Sequence, residues 1–117
     1  MNDLAKPSMA DYDRYVLVCV GKNCTQKGEG LALYDELKRK LKQRDLIAKG
    51  INIKRSRVYC FGVCTGGPLL SIQPDGVWYH AVDSTKLDVI IEQHLIGGKP
   101  VTAWVFHQGP IVTHVKE

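Results

Sequence analysis

The chain has 117 residues, 44% of them hydrophobic, with 16 Lys and Arg against 12 Asp and Glu and a formal charge of +4. That length suits one domain, and that apolar content is enough to bury a core without help from disulfides. No run approaches the roughly 18 to 20 apolar residues of a membrane span, and the opening MNDLAKPSMADYD has neither the charged head nor the apolar middle of a signal peptide, so a soluble, cytoplasmic protein is expected.

In chain order, residues 1 to 13 mix Asn, Asp, Lys, Pro and Ser without apolar periodicity and read as a flexible N-terminal tail. The domain is expected over residues 14 to 106, with residues 107 to 117 as a C-terminal extension. Tyr15 to Val20 is a β-branched and aromatic run closed by Gly21, which predicts a buried strand with Cys19 near its end. From Gly30 to about Arg44 the period becomes helical: Leu33, Tyr34, Leu37 and Leu41 share one face, and Lys38, Arg39, Lys40, Lys42 and Arg44 crowd the end where the helix dipole favours cations. Ile51 to Lys54 and Arg57 to Cys60 read as two short strand segments, the second delivering Cys60. A glycine-rich loop, Phe61 to Pro68, follows. Leu69 to Ile72 and Val77 to Val82 flank Gln73-Pro74-Asp75-Gly76 and predict a hairpin. Ser84 is placed to cap a second helix carrying Leu87, Ile90, Ile91, His94 and Leu95 on one face and ending at Gly97-Gly98, and Val101 to Phe106 to add a last strand. The order is that of an α/β domain with two main helices on a mixed sheet of four to five strands.

Residues 22 to 57 hold 11 of the 16 cationic side chains and four of the 12 acidic ones, a net +7 against −3 for the remainder. Such asymmetry attracts an acidic partner protein or a nucleic acid, and equally describes a solvated helix face.

Four cysteines fall in two local pairs, Cys19-x4-Cys24 and Cys60-x3-Cys64, each beginning where a strand is predicted to end. In a reducing compartment such pairs point to metal rather than to disulfides, and the pairing argues against four unrelated buried thiols. Structural zinc tolerates these spacings but favours x2 knuckles. An iron-sulfur cluster fits better, because two irons each need two thiolates and the sulfurs stand farther apart than around one ion. The C-x-x-C of a dithiol redox centre is absent.

With Gly67-Pro68 after the last cysteine, Gln73-Pro74-Asp75-Gly76-Val77-Trp78-Tyr79 in the hairpin and His94-Leu95-Ile96-Gly97-Gly98-Lys99-Pro100-Val101 closing the second helix, the chain resembles the thioredoxin-like 2Fe-2S ferredoxins and the related 2Fe-2S subunit of NADH dehydrogenases. The resemblance covers about residues 14 to 106. It implies a thioredoxin-like fold, one 2Fe-2S cluster per chain on Cys19, Cys24, Cys60 and Cys64, redox partner proteins and often a homodimer. The first cysteine loop is shorter than free-standing members often have, which implies a less deeply held cluster or a different docking surface.

No nucleophile motif, paired-carboxylate signature or phosphate-binding glycine loop occurs, so a one-electron carrier without a substrate site is expected. The alternatives are a zinc-stabilised four-cysteine binding module and a cluster-containing redox sensor or regulatory subunit. A membrane is not expected as a partner, nor is nucleic acid, since RNA-binding aromatic motifs are lacking. Lys22 and Lys27 flank Cys24 and suit either charge compensation or surface solubility. One of Trp78 and Tyr79 is expected in the core. His80, His94, His107 and His114 show no ligand-like spacing and are assigned no metal role.

Overall fold

The computed structural model describes residues 4–22, 25–47, 52–63 and 65–110. Its elements are β1 (Arg14–Cys19), α1 (Glu29–Gln43), β2 (Ile53–Val58), β3 (Leu70–Gln73), β4 (Val77–Tyr79), α2 (Ser84–Ile90), which runs on as a π-helical stretch over Ile91–Ile96, a 3-10 turn at Thr102–Trp104, and β5 (Val105–Gln108).

Five strands form one sheet in the order β2-β1-β3-β4-β5. β1 and β2 are parallel and joined through α1, as a parallel pair requires a crossover. All other neighbours are antiparallel. Strand alternation turns Val16, Val18, Leu70, Ile72, Val77 and Tyr79 to one face, where they join Leu33, Leu37 and Leu41 of α1 and Leu87, Ile90, Ile91 and Leu95 of the second helix in a single core. Each such leucine or isoleucine stabilises the fold by about 1.5 to 3 kcal/mol on burial. Both helices therefore cover the same face. They are also tied to each other, Lys40 Nζ lying 2.7 Å from Asp88 Oδ1 and Arg44 Nε 2.7 Å from Glu92 Oε2.

Several sequence-based expectations are revised. The segments 51 to 54 and 57 to 60 are one strand over Ile53–Val58, while Ile51 lies outside the described residues. Parallel pairing with β1 carries the ladder straight through the polar Lys54-Arg55-Ser56-Arg57 stretch. Arg55, on the helix-bearing face, lays its guanidinium 4.1 Å from the centre of the Tyr34 ring and so supplies the cover an apolar residue would. The cap of α2 is Asp83, whose carboxylate accepts the Lys86 N–H at 2.8 Å, whereas Ser84 is already helical and donates to Glu36 Oε2. The last strand begins at Val105, because the Trp104 N–H closes a turn onto the Val101 carbonyl and the Val101 N–H is held by the Tyr79 hydroxyl. It runs on through His107 and Gln108. Of the hairpin pair, Trp78 is half-buried and Tyr79 fully buried.

At the start of the chain, Asn52 donates to Asp13 Oδ2 and the Asp11 carbonyl and accepts the Asp13 N–H, stapling residues 11 and 13 to the beginning of β2.

Candidate metal centre

The parallel register sets Cys19 opposite Val58, so β1 and β2 end level at one edge of the sheet. The Val20 N–H bonds the Val58 carbonyl at 2.8 Å and carries the pairing one step further. Cys60 follows two residues beyond that level. Cys19 is fully buried and its Sγ lies 3.6 Å from the Tyr59 carbonyl oxygen, while Cys60 is exposed and its Sγ accepts the Gly62 N–H at 3.1 Å. Gly62 has φ +84, a conformation that suits glycine and that turns this N–H back on the sulfur. The structure thus brings one member of each cysteine pair to the same edge. Cys24 and Cys64 lie outside the described residues.

The loops that carry those two cysteines are anchored on either side of them. Just after Cys24, Thr25 is buried and bonds the Gly21 carbonyl twice, through its N–H at 3.0 Å and its hydroxyl at 2.9 Å. Beyond Cys64, the Gly66 and Pro68 carbonyls accept the Ala81 and Val82 N–H groups, and the Leu69 carbonyl accepts the N–H of Cys19 itself. These bonds end the hairpin ladder at Tyr79, where a strand to Val82 was expected, and turn the chain over the cysteine edge. Phe61 stands edge-on to Trp78 at 4.9 Å and Trp78 to His107 at 6.3 Å, pinning the Cys60 loop to the sheet.

Two glycines set how closely these parts approach. A Cβ at Gly21 would meet the Tyr59 carbonyl oxygen at 2.1 Å, and one at Gly30, in the first turn of α1, would meet the Cys19 carbonyl oxygen at 2.2 Å. Only hydrogen side chains let the first cysteine loop touch the second and let the helix start press on the end of β1.

Electrostatically, the edge is bordered by Lys22, Lys27 and Arg57, all exposed. The Lys27 N–H donates to Glu29 Oε1, and the backbone N–H groups of Glu29 and Lys27 hold the Glu29 carboxyl below its usual range against the opposing effect of burial, with the Lys27 charge adding to them. Among the described residues no three His, Cys, Asp or Glu side chains converge as a metal site would require. The described sulfurs at this edge are those of Cys19 and Cys60.

Comparison with known proteins bears directly on this arrangement. No protein-family model matches the chain. A 2Fe-2S ferredoxin of Aquifex aeolicus strain VF5 is 44% identical over 50 residues, covering 43% of this chain and 45% of that protein, and a 2Fe-2S ferredoxin of Clostridium pasteurianum is 26% identical over 100 residues, covering 80% and 95%. The structure of a thioredoxin-like 2Fe-2S ferredoxin from Aquifex aeolicus superimposes with a TM-score of 0.75 at 28% identity, covering 86% of this chain and 96% of that one.

The chain belongs to the thioredoxin-like 2Fe-2S ferredoxin family. Within this thioredoxin-like ferredoxin fold, His80, His94 and His107 make aromatic or hydrogen-bond contacts, and His114 lies outside the described residues. His80 and His107 stand edge-on to Phe106 and Trp78. His94 is fully buried, with Nδ1 2.8 Å from the Tyr79 hydroxyl and Nε2 2.6 Å from Asp75 Oδ2, which also accepts from Arg14 Nε at 3.0 Å. The donors and acceptors are all satisfied with a neutral imidazole: the Val101 N–H donates to the Tyr79 oxygen, the Tyr79 hydroxyl to Nδ1, and Nε2–H to Asp75. Burial pushes the His94 pKa down more than Asp75 lifts it, which agrees with that tautomer. Burial pushes Asp75 up, but hydrogen bonds from His94 and Arg14 and the Arg14 charge outweigh it and leave the carboxyl below its usual range. This chain ties the hairpin turn to α2's extension and to the start of β1, at the end of the ferredoxin sheet opposite Cys19.

Proposed function

We propose that the chain is a one-electron carrier whose single 2Fe-2S cluster is held by Cys19, Cys24, Cys60 and Cys64. The observation that supports the ligand set is the level ending of parallel β1 and β2, which sets Cys19 and the Cys60 loop side by side. The cofactor supplies a reversible one-electron step with a formal charge near −2 when oxidised and about −3 when reduced. The protein's part is to hold that charge in place. The Gly62 N–H aimed at Cys60 Sγ and the burial of Cys19 are the described elements that do so, and hydrogen bonds to ligand sulfurs together with exposure are what tune such a centre. Cys60, being exposed, lies on the side from which a redox partner protein approaches. This role needs no substrate pocket, acid or base of its own. Among the described residues no helix is long and apolar enough to cross a membrane, and we assign the protein to the cytoplasm.

Purified anaerobically, the protein should be red-brown, with about two irons and two sulfides per chain. A colourless protein with stoichiometric zinc would instead make the centre a structural one. Cys60→Ala should abolish the native cluster spectrum, because one iron loses a ligand; a retained spectrum and stoichiometry would remove Cys60 from the ligand set. A homodimer is proposed from family membership, and sedimentation at two concentrations should give the dimer mass; a monomer at both would refute it.

A further inference from the structure

The flank formed by α1 and β2 carries an excess of positive charge, of which only Arg57 also borders the cysteine edge. Lys38 and Lys42 project from α1, and Lys54, Arg55 and Arg57 from β2. Among the described residues none of these five forms an ion pair, whereas Lys40 and Arg44, on the other flank of the same helix, are taken up by Asp88 and Glu92. Arg55 is the most exacting of the five. Its guanidinium is stacked on Tyr34, and Nη1 is buried without a hydrogen-bond partner, so a partly desolvated cation stands there unneutralised.

Between these cations runs a groove of about 380 Å³, lined by Ala10, Leu41, Ile47 and Ile53 as well as by Lys38, Lys42, Lys54 and Arg55. The strand beside it is the edge of the sheet. Ile53 turns its N–H outward to the Leu46 carbonyl, and Val58 turns its carbonyl inward to Val20. By ladder alternation Arg55 and Arg57 present their backbone N–H and C=O groups outward, where no further strand follows among the described residues.

We propose that this edge is a docking site for an extended acidic segment of a partner protein, which adds to β2 as a strand, sets carboxylates against Lys38, Lys42, Arg55 and Arg57 on the helix-bearing face and against Lys54 on the other, and lays an aliphatic side chain in the groove on the helix-bearing face. Cationic side chains on an edge strand normally guard against pairing with another copy of the same chain. The same guard admits a strand of opposite charge and gives it specificity. A second copy is excluded as the occupant because it would bring its own like charges to the contact. Nucleic acid is disfavoured because Tyr34, the aromatic of this flank, already carries the Arg55 guanidinium instead of offering a platform for a base. β2 points from this groove toward Cys60, about 20 Å further along at the usual rise per residue, so a segment bound here holds its parent protein beside the cysteine edge.

The test uses the full-length protein as isolated and reads binding alone, so its outcome is separate from the cluster assignment. Two fluorescent decapeptides of equal charge serve as probes, both glutamate-rich and differing only in carrying Val (the Glu-Val peptide) or Ser (the Glu-Ser peptide) at neighbouring same-face positions, beside a single-stranded oligonucleotide of similar charge. The Glu-Val peptide should bind at least about tenfold tighter than the Glu-Ser peptide and tighter than the oligonucleotide. It should slow amide exchange at Arg55 and Arg57. Lys42→Glu combined with Lys54→Glu should weaken it by about tenfold or more, and Lys99→Glu, outside the groove, by less than twofold. Equal binding of the two peptides, equal effects of the two charge reversals, preference for the oligonucleotide or unchanged exchange at Arg55 and Arg57 would each overturn the proposal, and the exchange measurement on the unsubstituted protein holds even if the double variant fails to fold.

Discussion

Gly21→Ala is the sharpest perturbation of the cysteine edge. The new Cβ would lie 2.1 Å from the Tyr59 carbonyl oxygen and 3.3 Å from its carbon. Carbon-to-oxygen contacts settle at roughly 3.3 to 3.6 Å, so one of the two cysteine loops must retreat by more than about 1 Å. Gly21 is not among the glycines with positive φ, so its backbone admits alanine and the whole cost is steric. Neither side yields easily, since the Gly21 carbonyl is gripped twice by Thr25 and Tyr59 is flanked by the end of β2. Overpacking of this kind costs about 1 to 3 kcal/mol, equivalent to a fall in Tm of roughly 5 to 15 °C for a domain of this size. Because the retreat separates the Cys19 loop from the Cys60 loop, iron per chain should fall as well. Thermal unfolding by circular dichroism and an iron assay, run on wild type, Gly21→Ala and the exposed neighbour substitution Lys22→Ala, provide the comparison, with the last expected within about 0.5 kcal/mol of wild type. A Gly21→Ala protein with unchanged Tm and full iron content would refute the close approach of the two loops.

Tyr79→Phe strips the partners from the Val101 N–H and His94 Nδ1 inside the fold, and each orphaned group costs about 1 to 3 kcal/mol; denaturant unfolding should show a lower midpoint with an unchanged slope, and a midpoint equal to wild type would dissolve the network. His94, its pKa held below 6.5 chiefly by burial, stays neutral in the fold while the unfolded chain takes up the proton first. Stability on its account is therefore complete above about pH 6.5 and declines as the pH falls from there toward the folded-state value; unfolding curves at pH 7.5, 6.5 and 5.5 should show this slope, and His94→Gln should flatten it. Asp75 works in the same direction lower down, contributing stability above pH 3.8 that is lost as the pH falls through its depressed pKa.

Much of this architecture is legible in the sequence because periodicity and burial coincide. Tyr15 to Val20 reads as a strand and forms one over Arg14–Cys19, and the leucines of α1 and the stripe from Leu87 to Leu95 face the core as their spacing requires. Legibility fails where a tertiary partner replaces a local signal. β2 looks broken because a cation, Arg55, occupies a helix-facing position that Tyr34 covers from 21 residues away in the chain. Asp83 and Ser84 are equally good caps by residue type, and only the path of the chain after Val82 decides between them. His94 lies on an apolar stripe with nothing local to announce Tyr79, 15 residues earlier, or Asp75, 19 residues earlier, as its partners. Gly21 and Gly30 look like ordinary loop and helix-start glycines until the loop or strand end they press on is in place.

The parallel pairing of β1 and β2 also governs when the cysteine edge comes into being. Each cysteine pair is local in sequence, but Cys19 and the Cys60 loop meet only after the chain between them has formed α1 and returned as β2 beside β1, a non-local contact that pays its loop-closure entropy before it gains anything. A nascent or locally unfolded chain therefore keeps the two cysteine pairs apart, and Cys19 and Cys60 come to one edge only together with the folded sheet. Cluster delivery to this protein is in that sense a late event, timed by the crossover rather than by the chemistry of the cysteines.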